Sequence, residues 1–135
     1  MSEQVIGEEL SAGFWSTVER AGGDRQKFRS LLWEMSEEEI CRFHREYKLA
    51  ASVLTGEPFD KIIYEDSGES EDGIDDIAEW VVVQGRAFYE AILQTPEDIP
   101  RHVDGGDPAL IVHVIYEVFQ KKFSKDLAGE DSAWP

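Results

Sequence analysis

Apolar side chains recur along the chain at intervals of three and four, the repeat that gathers residues on one face of an α-helix. Leu10, Phe14, Trp15 and Val18 open the series, and Gly22-Gly23 stops it. Asp24 is placed to cap a second helix with Phe28, Leu31, Leu32 and Met35 along one side. Ser36-Glu37-Glu38-Glu39 then has the form of a capping box. The serine accepts from the amide three residues on, Glu39 reaches back, and Met35 and Ile40 flank the pair as a hydrophobic staple. This third helix carries Phe43, Tyr47, Ala50, Ala51 and Leu54 until Gly56 and Pro58 end it.

A short apolar piece, Phe59 to Tyr64, leads into the acidic connector "EDSGESEDG", in which Ser70 is the best helix cap. Ile74, Ile77, Trp80, Val81, Phe88 and Ile92 mark one face of a helix expected to run unbroken to about Leu93. β-Branching at Trp80 to Val83 would also suit a strand, but the 3.6-residue period on either side favours helix. Gly85 falls inside this pattern at a cost of up to about 1 kcal/mol against alanine, so a close helix approach there is expected. Thr95-Pro96 begins a short helical turn, and Asp107-Pro108 begins a last helix ending near Ser124, with Lys121, Lys122 and Lys125 at its carboxyl end. The expectation is an all-α fold, a compact single-domain bundle of about five to six helices with short connections. It would occupy residues 10–125, between a flexible amino terminus (1–9) and a flexible acidic tail (126–135) in which Trp134 could dock.

Composition narrows the classes. With 135 residues, 41% of them hydrophobic, the chain can build one core and needs no second domain. Its apolar runs are far shorter than the roughly 20 residues of a membrane span, and the first ten residues lack a secretory pattern, which predicts a cytoplasmic protein. The single cysteine, Cys41, agrees with a reducing compartment. A net charge of −16, from 29 acids and 13 bases, argues against nucleic acid and anionic membranes and points toward basic or metallic partners.

Eight acids, Glu65, Asp66, Glu69, Glu71, Asp72, Asp75, Asp76 and Glu79, lie between Lys61 and Arg86 with no base among them. An EF-hand is excluded, because setting Gly73 sixth in the loop puts Gly68 first and Ser70 third. A looser cation site from Asp72 and Asp76, one turn apart, would need four or more further oxygens. Acids in a first helical turn also offset the dipole by roughly 0.3–1 kcal/mol each, and that reading covers Asp72 and Asp75 without a ligand. Arg86 is expected to pair with Asp75, Glu79 or Glu90, and Trp80 to pack in the core. Cys41 and His44, three apart, read as an ordinary helical cysteine beside a surface histidine. His102, Asp104 and Asp107 fit a turn and cap, and His113 a packed position. No phosphate loop, dinucleotide glycine pattern, serine elbow or zinc-protease helix occurs, so no cofactor and no catalytic residue is assigned.

Phe14-Trp15, Met35-Ser36-Glu37-Glu38-Glu39-Ile40 followed by Phe43, and "SEDGIDDIAEWVVVQGRAFYEAIL" followed by Pro96 resemble the bacterial family known as domain of unknown function 4240. An acidic start, a tryptophan, a Gln-Gly-Arg step and a following aromatic residue characterise that family. The matching positions are Ser70, Glu71, Asp72, Gly73, Trp80, Gln84, Gly85, Arg86 and Tyr89, and the resemblance runs from about Phe14 to Phe123. Family aromatic residues are replaced here by Ile74 and Ile77, an arginine by Ala78, and a tryptophan- and glycine-rich segment by "EPFDKIIYEDSGE". The resemblance implies a bacterial origin and a helical fold, and brings no activity with it.

Together these features lead to the expectation of a non-catalytic protein-binding module of inhibitor, immunity or regulatory type, with a basic protein as partner. The residues expected to bind are Asp72, Asp75, Asp76, Trp80, Gln84 and Arg86. The alternative is a metal- or small-molecule-binding domain, or an enzyme, using the acids around Asp72 with Arg86.

Overall fold

A computed structural model describes residues 10–104, 110–125 and 127. Seven α-helices and one 3-10 turn are present among the described residues, which contain no strand. The helices are α1 (Ala12–Ala21), α2 (Arg25–Trp33), α3 (Glu37–Leu54), α4 (Phe59–Ser67), α5 (Glu71–Val83), α6 (Arg86–Gln94) and α7 (Val112–Phe123), with the 3-10 turn at Pro96–Asp98 between α6 and α7. None of these is long and apolar enough to cross a membrane. The expected mobile ends, the Asp107-Pro108 start of the last helix and the docking of Trp134 lie outside the described residues, although Leu127 is buried.

The caps form where their residue types require them. Asp24 accepts from the Lys27 amide at 3.1 Å and Ser70 from the Gly73 amide at 3.3 Å. Both halves of the Ser36–Glu39 box are made, at 2.8 and 3.2 Å. Each satisfies an amide that the helix itself leaves without a partner.

Two readings are corrected. Phe59 to Tyr64 belongs to a helix of its own, α4, which Gly68 ends in the left-handed conformation at φ 70°. The expected single helix from Ser70 to Leu93 is two, and this raises the number of helices above five or six. Gly85 divides them with φ 107° and ψ 171°, a conformation that residues with a Cβ rarely adopt. The apolar period survives the break because both segments bury a face in one core, through Val81 and Val82 before it and Tyr89 and Ile92 after it.

Gly85 has no side chain to cap α6, and Glu19 from α1 supplies the missing acceptor: its Oε2 takes the Arg86 amide at 3.1 Å. The carboxylate therefore sits at the positive end of α6, where the dipole favours it. At the opposite end of the bundle α7 is tied to α2 through Arg29–Glu117 at 2.8 Å and through the Lys122 ammonium, which donates to the Trp33 and Met35 carbonyls.

α3 is the central element and packs most extensively against α5, with further contacts to α1 and α7. Ile40, Phe43, Tyr47, Ala50 and Leu54 face Ile77, Ala78, Val81 and Val82 in a single core. Neighbouring rings connect Phe28, Phe43, Phe14, Trp15 and Tyr89, each 5.0–5.6 Å from the next. The Tyr89 hydroxyl donates to the Ala50 carbonyl at 2.8 Å, so α6 is pinned to α3 by a buried hydrogen bond. His44, expected at the surface, is 1% exposed and lies 5.3 Å from the Tyr116 ring. His113, expected to be packed, is exposed at the start of α7.

Gly85→Ala should destabilise the fold by about 1–3 kcal/mol through backbone strain. A fall in the urea midpoint with an unchanged slope would show this, and an unchanged midpoint would contradict it.

Candidate functional site

The acidic start of α5 was set by Ser70, and the helical repeat then distributes the carboxylates that follow. Ile74, Ile77, Ala78 and Val81 turn inward, leaving Asp72, Asp75, Asp76 and Glu79 on the remaining arc. A groove runs between this arc and the second half of α3. It consists of two adjoining hollows of about 290 and 350 Å3 that share Thr55 and Asp75. Lys48, Ser52 and Glu79 line one, and Asp60, Glu71 and Ile74 the other.

Burial first, with help from Asp72 and Glu71, raises the Asp75 carboxyl above its ordinary 3.8 against the opposing pull of Lys48. Asp76 is raised in the same direction by partial burial and by Asp75, Asp72 and Glu69, with His113 opposing. Glu79 is also raised, chiefly by burial, although Lys48 and the Tyr47 hydroxyl counter it. That hydroxyl donates to Glu79 Oε1 at 3.3 Å. Burial and the neighbouring Glu79 carboxylate in turn push the Tyr47 phenol well above its ordinary value.

Acids preceding the helix are treated differently. Asp66 pairs with Arg101 at 2.8 Å and Glu69 with His102 at 2.6 Å. Among the described residues Glu71, Asp72, Asp75 and Asp76 enter no ion pair. The chain thus engages Asp66 and Glu69 ahead of the helix and leaves the helix face charged.

Asp72, Asp75 and Asp76 are therefore brought together on one face. Trp80 stands one turn beyond Asp76, half-buried rather than fully in the core, and meets the exposed Phe88 ring edge-on at 5.9 Å and 81°. Gln84 is exposed, and its amide donates to the Trp80 carbonyl at 3.2 Å. Arg86 lies past the Gly85 turn, paired with Glu90 at 2.9 Å, one of its three expected partners. At 1.5 Å rise per residue, Asp72 and Gln84 are about 18 Å apart along α5, so Arg86 and Asp72 serve different surfaces.

The sequence reading missed the α3 side of the groove. Lys48, Ser52 and Thr55 follow the i, i+4, i+7 spacing of one helical stripe, which was the available signal. A surface of this kind can hold ammonium and guanidinium groups by charge and hydrogen bonding. Among the described residues no three His, Cys, Asp or Glu side chains come together as a metal ion would require.

The raised carboxyls make folding stability depend on pH with a definite sign. Asp75, Asp76 and Glu79 bind protons more tightly folded than unfolded, so their stabilising contribution is complete below the ordinary values of 3.8 and 4.5 and is lost as pH rises through the raised folded values. Glu117 is opposite: hydrogen bonds from Arg29 and Lys121 lower it to about 2, so its contribution is present above 4.5 and lost as pH falls toward that value. Thermal stability should accordingly rise on moderate acidification from pH 7 and decline again toward pH 2. Glu79→Gln should raise Tm at pH 7 by a few degrees and flatten the rise. A Tm that only falls on acidification from pH 7 would contradict this account.

Neither a curated protein nor a solved structure shows significant similarity to the chain. A family model described as a protein of unknown function, DUF4240, matches residues 11–125, from the cap of α1 to just past the end of α7. The chain belongs to the DUF4240 family.

Proposed function

We propose that the protein is a non-catalytic binding module whose partner is a protein presenting a basic segment to the outer face of α5. One observation carries this reading: Glu71, Asp72, Asp75 and Asp76 stand together without ion-pair partners among the described residues, whereas Asp66 and Glu69 just before them are paired. Holding like charges side by side raises the free energy of the unbound protein, and a cationic partner relieves it. Half-buried Trp80 on the same helix, with the exposed Phe88 of α6 against it, offers an apolar anchor beside the charge. A net charge of −16 would steer a basic partner toward the surface before contact. Acidic inhibitor, immunity and regulatory proteins of similar size work by this kind of complementarity. Bacterial origin and a cytoplasmic location belong to the same reading.

Affinity capture from the native cell, with the partner identified and its affinity then measured, tests the reading. Asp72→Asn, Asp75→Asn and Asp76→Asn combined should weaken the complex between about threefold and a hundredfold, from about 0.2–1 kcal/mol for each exposed pair. Raising salt from 0.05 to about 0.5 M should weaken it about tenfold or more, because the screening length falls well below the spacing of the charges. A complex indifferent to both the salt and the triple substitution would overturn the proposal.

A further inference from the structure

We propose that a second site, in the hollow between α1 and α3, binds a small organic cation: an ammonium or guanidinium group on a short apolar body. The hollow measures about 190 Å3 and shares no lining residue with the α5 groove. Phe14, Phe43 and Met35 give it apolar walls, Gly13 leaves one side open, and Glu39 and Glu46 outweigh Arg42 in its lining, so that it is negative on balance.

Glu46 is an unusual residue for that place. It is 6% exposed, on the buried side of α3. Its Oε2 accepts from the Ser11 amide at 2.8 Å and its Oε1 from the Ser11 hydroxyl at 3.1 Å, both neutral donors. Arg42, which also lines the hollow, stands with its Nε 3.8 Å from Oε1, an ion-pair distance beyond hydrogen-bonding range, and its side chain is largely in solvent. A carboxylate has about four acceptor sites, so two remain beyond those Ser11 fills. Holding α1 through Ser11 needs no charge, because a neutral glutamine could accept from the Ser11 amide and donate to the Ser11 hydroxyl oxygen.

A full negative charge beside aromatic walls is instead the combination that recognises a cation with an apolar body. The carboxylate takes the charged head through charge-assisted hydrogen bonds, and the rings receive the remainder. Phe14 and Phe43 lie 5.0 Å apart with their planes 32° from parallel, and both line the hollow. Drug-sized ligands occupy roughly 300–1,000 Å3, so this hollow selects something smaller. The acidic field of the whole chain enriches cations at its mouth.

2-Phenylethylamine is a suitable probe, titrated into the full chain at pH 7 and followed calorimetrically and by ligand-observed NMR. Saturable one-to-one binding is expected, with none for 3-phenylpropionate and much weaker binding for neutral 2-phenylethanol. Glu46→Gln keeps an acceptor for the Ser11 amide and should weaken amine binding about tenfold or more. Gly13→Leu fills the hollow from α1 with a better helix former and should abolish binding while leaving the fold at least as stable. Lack of saturable amine binding, equal binding of the alcohol, or full binding by Gly13→Leu would each overturn the assignment.

Discussion

The packing of α5 against α3 is the interaction on which the remaining features depend. It buries Ile77, Ala78, Val81 and Val82 against Phe43, Tyr47, Ala50 and Leu54. Because the helical repeat fixes the angular relation of all residues on α5, burying those four positions determines where each carboxylate must point. Asp75 and Glu79 are set along the α3 border, Asp72 and Asp76 farther out. The groove and its weakened acids thus follow from core packing, without any separate device to build them.

The same packing explains which parts of the sequence could be read directly. Caps are local: Asp24, Ser36 with Glu39, and Ser70 each satisfy an amide within three residues, so a short window contains both donor and acceptor. The break at Gly85 is different. Its acceptor, Glu19, is 67 residues away, and the periodicity on both sides continues as if no turn were present. Glycine in a helical pattern can be an interior residue or a stop, and only the partner in α1 decides. α4 was missed for a related reason, since Phe59, Ile62 and Ile63 provide too short an apolar series to distinguish helix from loop.

Residues buried against type were also visible only in part. Glu46 lies three after Phe43 and four before Ala50, on the apolar side of α3, and His44 lies four after Ile40 and three before Tyr47. Strict attention to spacing would have placed both inside. For His44 residue type suggested the surface and prevailed, because imidazoles are seldom so deeply buried. His113 was misplaced in the other direction by its apolar sequence neighbours Val112 and Val114, of which Val114 turns inward while the histidine does not. On the acidic arc, the sequence supplied the residues of α5 but could not show that Arg101 and His102 reach Asp66 and Glu69, contacts made across more than thirty residues.

The Gln84-Gly85-Arg86 step is one of the features by which this chain resembles its family, and in the folded protein it is a corner. Its glycine permits the bend, its arginine amide is held by α1, and its arginine side chain leans along α6 toward Glu90. Kinship recognised through that tripeptide therefore transmits architecture and leaves recognition chemistry open. The counterpart to seek in other members is an acid on the first helix, at the place Glu19 holds here.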